Sequence, residues 1–293
     1  MKISDLFNCK KCVYSFELFP PKKTSPVGTV YDVLGDITAL KPDYVSITYG
    51  AGGNGGKDTV KLTRAVKDAG VEVMPHLTCV GNTKSDITNT LNELELAGAE
   101  NVMALRGDRV DGNAVVGDFS YASDLTQFIR EIKPRMNVAG ACYPEGHVEA
   151  KDRYEDIKNL RKKVNAGVSH LNSQLFFDND DFFDFCALTS LAGIEVPIQA
   201  GVMPIVKASQ INRIVSMTGV KIPSKLSRLI SRYGEDEKSL FDAGIAYATE
   251  QIADLIAGGA SGIHLYIINN VEVARRITDN VRSMIDRVNR NGN

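Results

Sequence analysis

The sequence predicts a single (β/α)₈ barrel, and three observations lead to that prediction. Eight short apolar segments recur along the 293 residues, and longer amphipathic segments separate them. The apolar segments are nearly continuous in hydrophobicity, as strands of a helix-covered parallel sheet are. No linker, low-complexity tract or change in composition divides the chain, so residues 1–293 are expected to form one α/β domain. A doubly wound sheet with two extra strands is the structural alternative.

The eight predicted strands can be placed directly on the sequence. They are VYSFELF (13–19), YVSITYG (44–50), VEVMPHLTCV (71–80), NVMALRGD (101–108), NVAGACYP (137–144), HLNSQLFFD (170–178), VPIQAGVMPI (196–205) and GIHLYIIN (262–269). The segments between them have helical patterns, and several end at a glycine, where helices commonly finish in a left-handed residue. These glycines are Gly70, Gly98, Gly167, Gly193 and Gly219.

The interval between the seventh and eighth predicted strands is longer than the others. It has room for about two extra helices, and residues 239–259 have the pattern of one long helix. We therefore expect a barrel with additional helices inserted between strands seven and eight.

Composition excludes several classes of protein. The net charge of −2 provides no basic field that would attract nucleic acid or anionic lipid. No apolar run approaches the roughly 20 residues that cross a bilayer, and the N-terminal segment has no secretory pattern, so a cytoplasmic enzyme is expected. Five cysteines without a signal peptide argue against a disulfide framework. Cys9 and Cys12 form one C-x-x-C pair, but no second pair completes a tetrahedral metal site.

Polar side chains recur at the carboxyl ends of the predicted strands. The active site of such a barrel forms at this end, because the loops that follow the strands meet there. Polar groups in apolar strands are costly to bury without partners, so their recurrence at one rim predicts a polar pocket. The candidates are Glu17, Thr48, Tyr49, His76, Arg106, Gly107, Asp108, Tyr143, Glu145, His147, Gln174, Asp178 and Asn269.

These positions disfavour some chemistries and leave another open. No lysine lies within a predicted strand near its end, which disfavours a Schiff-base aldolase, and no G-x-S-x-G motif supports a hydrolase triad. A metal-dependent lyase or hydrolase stays open as an alternative, with a divalent metal held by His76, Asp108, Glu145 and His147. Residues 50–55 match G-x-G-x-x-G, but the next strand does not end in the acidic residue that a Rossmann site requires.

The helix predicted after the fifth strand, DRYEDIKNLRKKVNAG, combines hydrogen-bonding groups with positive charge. Asp156, Asn159 and Lys163 recur at helical spacing on one side. Such a helix can hold a sugar and a diphosphate, and a solvated charged face is the alternative.

Several of these segments together resemble the methylenetetrahydrofolate reductases. They are SFELFPPK, DYVSITYGAGG, PHLTCVG, ALRGD, YASDL, YPEGHVEAK, the run 156–163, SQLFFD and GVMPI, with weaker similarity through LYIINN. The resemblance implies a (β/α)₈ barrel that binds FAD without a Rossmann motif. It also implies reduction of 5,10-methylenetetrahydrofolate to 5-methyltetrahydrofolate by hydride from the flavin.

The resemblance implies roles for individual residues. Glu17 would be the general acid that protonates N10 and opens the folate ring to a 5-iminium. Asp108 would lie beside the flavin pyrimidine ring and stabilise the cation, Gln174 would contact the pterin, and Thr48 would lie where a nicotinamide approaches. The cofactor contacts would be Thr48, Tyr49, His76, Arg106, Gly107, Asp108, Ala122, Tyr143, His147, Ala150, Asp156, Asn159, Lys162 and Lys163.

The electron donor is left open between NAD(P)H and a partner protein. Ala208 stands where the family often has an aromatic residue against the nicotinamide nucleotide, and Asn270 stands where some relatives have arginine. Cys9 and Cys12 could belong to a contact with a partner. A homo-oligomer is expected, without nucleic acid or membrane partners, and a non-catalytic flavin-binding subunit of an electron-transfer complex is a further alternative.

Overall fold

The computed structural model describes residues 1–20, 29–49, 55–107 and 117–290. Its eight strands are β1 (Val13–Leu18), β2 (Tyr44–Ile47), β3 (Glu72–Thr78), β4 (Asn101–Leu105), β5 (Asn137–Cys142), β6 (His170–Ser173), β7 (Ile198–Val202) and β8 (Gly262–Tyr266). Its helices are α1 (Ile3–Cys9), α2 (Thr29–Ala39), α3 (Gly55–Asp68), α4 (Lys84–Leu96), α5 (Ala122–Ile132), α6 (Arg153–Asn165), α7 (Asn179–Leu191), α8 (Ala208–Thr218), α9 (Ser224–Tyr233), α10 (Glu237–Ala257) and α11 (Val271–Arg290).

The strands form a closed barrel in sequence order, and all neighbouring pairs are parallel. The barrel closes because β1 pairs with both β2 and β8. Ser15 of β1 aligns with Tyr44 of β2 on one side and with His264 of β8 on the other. The strands are buried along nearly their whole length because helices cover the outside and side chains fill the inside. The predicted barrel is confirmed, and the doubly wound alternative is wrong.

The extra helices are also where the sequence predicts them. Helices α8 and α9 are inserted after β7, and α10 is the predicted long helix before β8. The strands end earlier than the predicted apolar segments, because the last residues of each segment form the loop at the carboxyl end. The short helix α1 is not among the predicted elements, and its Ile3 and Leu6 pack with Val13 and Tyr44 at the amino end of the barrel.

The glycines predicted to end helices have left-handed backbones. Gly167, after α6, has φ 116°, and a Cβ there would lie 2.8 Å from the Arg130 side chain. Both the backbone angle and the space therefore require glycine at this position.

None of the helices in the described ranges combines the length and the apolar composition that a bilayer crossing requires.

Candidate functional site

Glu17 lies at the carboxyl end of β1, inside the barrel and only 7% exposed. Its Oε2 is 3.6 Å from Nε2 of His76 on β3 and 3.7 Å from Nε2 of His264 on β8. The alternation of side chains along β1 turns Glu17 and Ser15 to the same inner face. The barrel therefore places one buried carboxyl group between two imidazoles.

Burial changes the pKa of two side chains beside Glu17. Burial lowers the pKa of His76, although the Glu17 carboxylate acts in the opposite direction. Burial raises the pKa of Tyr266 well above its usual value, and the charge of Glu17 adds to that effect. The Tyr266 hydroxyl donates to the Ser173 carbonyl at 2.7 Å, and its ring lies edge-on to His264. Burial thus favours the uncharged forms of His76 and Tyr266 beside this carboxyl group.

His264 is not among the predicted site residues. The available signal was its spacing in GIHLYIIN, where His264 and Tyr266 share a face of the strand, as Ser15 and Glu17 do on β1. The register of β1 with β8 aligns Ser15 with His264 and Glu17 with Tyr266. Only barrel closure, which joins the first strand to the last, makes these residues neighbours.

A cavity of about 550 Å³ opens beside β4 and β5 at the same end of the barrel, between α5 and α6. It brings together nine of the residues for which cofactor contacts are predicted. They are Arg106, Ala122, Tyr143, His147, Ala150, Asp156, Asn159, Lys162 and Lys163. The lining also includes residues that the sequence analysis did not name, among them Tyr121, Ser123, Cys142, Glu149 and Glu155.

The polar lining of this cavity contains three cations, Arg106, Lys162 and Lys163, beside three carboxylates, Glu149, Glu155 and Asp156. Lys163 Nζ donates to the Ala141 carbonyl at 2.7 Å, and burial lowers the pKa of this lysine, against smaller opposing effects of Cys142 and Asp156. The Arg106 guanidinium makes a two-point contact with Glu149. Lys162 is exposed and contacts the Asn159 side-chain oxygen at 3.1 Å. The two lysines and Asn159, which lie together on α6, suit an anionic ligand such as a diphosphate.

The loop after β5 is anchored to the start of α6. Asp156 Oδ2 accepts a hydrogen bond from the His147 backbone N–H at 3.2 Å, and burial raises the pKa of Asp156. His147 Nδ1 accepts from the Glu149 N–H at 3.1 Å, so the neutral ring carries its proton on Nε2. Burial lowers the pKa of His147, and Tyr143 packs edge-on against it. These contacts hold the rings of Tyr143 and His147 along one side of the cavity.

Five other predicted site residues lie outside this lining. His76 contacts Glu17, while Thr48 and Tyr49 directly follow β2. Gly107 follows β4 with φ 88°, and a Cβ there would lie 2.9 Å from Val80. Gln174 follows β6, where its backbone N–H donates to the Cys142 carbonyl at 2.7 Å and its side-chain oxygen accepts from the Leu175 N–H at 2.9 Å.

Asp108 and residues 50–54 of the glycine-rich segment lie outside the described residues. The roles assigned to Asp108 beside the flavin and the substrate remain predictions.

Several polar residues at the rim make structural contacts. Glu145 accepts from the Lys221 N–H at 3.1 Å, and Asp178 caps α7. The Asn269 side chain accepts from the Phe19 N–H and donates to the Phe19 carbonyl, both at 2.9 Å. Asn270 accepts from the Val273 N–H at the start of α11. Each side chain satisfies backbone groups where a loop or helix begins.

The metal-dependent alternative gains no support from this geometry. Within the described ranges, no group of three or more histidine, cysteine, aspartate or glutamate side chains could hold a metal ion. Of the four proposed ligands, Glu145 is bonded to the Lys221 backbone, and His76 and His147 belong to the two different regions described above.

Cys9 and Cys12 lie at the opposite end of the barrel from Glu17. Cys12 directly precedes β1 and is buried, and burial raises the pKa of its thiol to about 12. Cys9 is exposed at the end of α1. A protein that docked over the carboxyl end of the barrel would therefore not meet this pair.

Comparison with known proteins identifies close relatives in sequence. A family model described as methylenetetrahydrofolate reductase matches residues 2–282. The 5,10-methylenetetrahydrofolate reductase of Escherichia coli is 31% identical over 264 residues, which cover 90% of this chain and 88% of that protein. Methylenetetrahydrofolate reductase 1 of Schizosaccharomyces pombe is 32% identical over 289 residues, which cover 95% of this chain and 48% of that longer protein.

Solved structures agree in fold at low sequence identity. A Clostridium thermocellum protein that binds two copies of 5-methyl-5,6,7,8-tetrahydrofolic acid superposes with TM-score 0.62 at 13% identity, over 99% of both chains. Tryptophan synthase from M. tuberculosis superposes with TM-score 0.54 at 11% identity, over 96% of this chain and 97% of that chain. At this level of identity the similarity shows the shared barrel alone.

Proposed function

The chain belongs to the methylenetetrahydrofolate reductase family, and from that premise we propose that it uses bound FAD to reduce 5,10-methylenetetrahydrofolate to 5-methyltetrahydrofolate. The reduction of methylenetetrahydrofolate makes it an oxidoreductase, as its relatives are. One observation carries the assignment of the cofactor. Nine positions at which the family resemblance implies flavin contacts line a single cavity at the carboxyl end of the barrel, where Glu17 is also buried.

The lining residues fit the parts of FAD. Lys162, Lys163 and Asn159 offer cations and an amide for the diphosphate and a sugar, and Tyr143 with His147 offers an aromatic wall. When bound, FAD would supply the hydride that reduces the methylene carbon.

Glu17 would act as the acid that opens the folate ring. Its proton passes to N10, the bond between the methylene carbon and N10 breaks, and the electron pair of that bond stays on N10. The methylene carbon is then part of a 5-iminium cation, which can accept hydride. Since Glu17 is 7% exposed, bulk water is kept away from the proton that it donates.

Two further residues would position the substrate. Gln174 would contact the pterin, and its backbone bond to the Cys142 carbonyl holds it next to the end of β5. Asp108 would stabilise the cationic iminium by its negative charge.

The electron donor is NAD(P)H or a partner protein in this proposal. Ala208 is the first residue of α8, so no aromatic ring is available there to stack on a nicotinamide nucleotide. Mixing the purified protein with NADH or NADPH in a stopped-flow spectrometer distinguishes the two donors. Rapid bleaching of the flavin would exclude the partner-only version.

An absorbance spectrum of the purified protein, followed by anaerobic titration with 5-methyltetrahydrofolate, tests the proposal. We expect the visible absorption of oxidised flavin and its bleaching as the folate is oxidised. A colourless protein would contradict the cofactor. A bound flavin that no folate reduces, and that reduces no methylenetetrahydrofolate after dithionite treatment, would favour the non-catalytic flavin-binding subunit.

A further inference from the structure

A connected set of polar side chains fills the barrel interior beneath Glu17. Gln199 on β7 directs its side-chain nitrogen at the carbonyl oxygens of Val13 and Ile263, at 3.1 and 2.9 Å. A carbonyl oxygen only accepts hydrogen bonds, so this side of the Gln199 amide must be the NH₂ group. Its oxygen, on the other side, accepts from the Tyr44 hydroxyl at 2.6 Å. The orientation of Gln199 is thereby determined.

The orientation of Gln199 determines the direction of the next hydrogen bond. The same nitrogen lies 2.9 Å from Ser15 Oγ, so its two hydrogens are shared among three acceptors. Because an amide nitrogen does not accept, the hydroxyl hydrogen of Ser15 is not directed at Gln199. The hydroxyl hydrogen of Ser15 is then directed at Nδ1 of His264, which lies 2.7 Å away. Among the described residues, Nδ1 is the hydrogen-bond partner of Ser15 Oγ that is able to accept this hydrogen, and the assignment makes Nδ1 the acceptor.

An imidazole that accepts at Nδ1 carries its proton on Nε2 when it is neutral. In His264 that nitrogen faces Ser46 Oγ at 3.3 Å and Glu17 Oε2 at 3.7 Å. We propose that His264, held in this tautomer by Ser15, is a positioning residue whose Nε2–H stabilises the Glu17 carboxylate left after proton donation. The inference rests on the proposed function, since it concerns the acid of that reaction.

The other described groups that face Glu17 have no N–H or O–H that a comparable chain of hydrogen bonds directs at it. His76 on β3 places Nε2 3.6 Å from the same oxygen, and this atom has no hydrogen-bond partner among the described residues. The hydroxyls of Tyr266 on β8 and Tyr44 on β2 donate elsewhere, to Ser173 and Gln199. His264 is thus the neighbour of Glu17 whose N–H is directed by a chain of defined hydrogen bonds.

The variant Ser15→Ala tests the inference through the pH profile. Without the hydroxyl, Nδ1 can take the proton, and Nε2 then presents a lone pair that favours the protonated form of Glu17. We expect the folate half-reaction to slow by about tenfold. The pH above which the rate of the folate half-reaction falls should increase by about one unit, because the proton leaves Glu17 less readily. Reduction of the flavin by dithionite should stay as in the wild type.

The tautomer can be measured without turnover. The chain has four histidines, so ¹⁵N NMR of a histidine-labelled sample resolves each ring, and His264→Gln assigns the signal of His264. We expect Nε2 of His264 to be protonated in the wild type and Nδ1 in Ser15→Ala. His264→Gln retains an N–H near the Nε2 position and should keep more of the folate half-reaction than His264→Leu.

Ser169→Ala is the matched control. Ser169 Oγ lies 3.0 Å from His170 Nδ1 at the amino end of β6 and also donates to the Val138 carbonyl at 3.1 Å, so this variant removes a serine–histidine contact away from Glu17. It should change the NMR signal of His170 and leave the folate half-reaction unchanged. A Ser15→Ala protein with wild-type tautomer and pH profile would overturn the inference alone. A wild-type protein without any folate half-reaction would overturn the proposed function as well.

Discussion

The carboxyl end of the barrel contains two regions of opposite physical character. The surroundings of Glu17 are built from strand residues, and Glu17, His76 and His264 are all buried. The cavity beside β4 and β5 is built mostly from loop and helix residues, and several of its charged side chains, such as Lys162 and Glu149, are exposed. A buried acid needs neighbours that can form hydrogen bonds, because polar groups are costly to bury without partners. An anionic cofactor needs cations that it can reach, because charge-assisted hydrogen bonds are the strong ones.

Because the two regions differ in this way, we expect that mutations can affect proton transfer and flavin binding separately. Substitutions near Glu17 should affect proton transfer at normal flavin content. Substitutions in the cavity should affect flavin affinity, and the folate half-reaction should recover when the protein is saturated with FAD.

The largest effect is expected for Glu17→Gln. The amide cannot donate a proton as an acid, so the folate half-reaction should fall by about 10²–10⁴-fold. Flavin content and reduction by dithionite should stay normal, because Glu17 does not line the cavity. Single-turnover measurements under anaerobic conditions check both statements, with Glu250→Gln on the exposed surface as the control. Near-normal folate turnover would remove Glu17 from the role of acid.

A smaller loss is expected for Lys163→Met in the cavity. This variant removes a charged donor and should weaken FAD binding by about 10–100-fold, which a flavin fluorescence titration measures. Lys158→Met, on the exposed face of the same helix, is the matched control and should bind FAD normally. Normal FAD affinity in Lys163→Met would contradict the assignment of this cavity to the cofactor.

Acid should destabilise the barrel interior through its buried neutral histidines. Burial lowers the pKa of His170 to about 3, from an unfolded value of about 6.5. Below pH 6.5 the unfolded chain binds a proton that the folded chain does not, so stability falls as the pH drops toward 3. His170 should therefore lower the free energy of unfolding by roughly 2 kcal/mol at pH 5, relative to neutral pH.

Urea unfolding of the wild type and of His170→Asn between pH 7 and pH 5 measures this contribution. The variant should lose less stability over that interval, whatever its stability at pH 7. Parallel pH dependence in the two proteins would show that His170 is not held neutral by the fold.

The smallest effect is expected for Asn270→Ala, at the start of α11. This asparagine accepts from the Val273 N–H, and its loss should lower the free energy of unfolding by about 1 kcal/mol. Urea unfolding measures the change, while flavin affinity and the folate half-reaction should stay unchanged. A specific loss of folate affinity would instead place Asn270 in the substrate site.

Local spacing was enough to predict the elements and part of the site. Apolar runs of strand length, amphipathic runs of helix length and glycines such as Gly167 depend on neighbours within a few residues, so they can be recognised in the chain itself. Glu17 was recognisable in the same way, because a carboxyl group inside an apolar strand is costly without a purpose.

Only the tertiary structure decided which polar side chains meet. Glu145, Asp178 and Asn269 resemble site residues in the sequence, yet they satisfy nearby backbone groups in the fold. His264 escaped notice, although it lies against Glu17, because the two come from opposite ends of the chain. Their contact depends on barrel closure and on the register of β1 with β8, which no local pattern encodes.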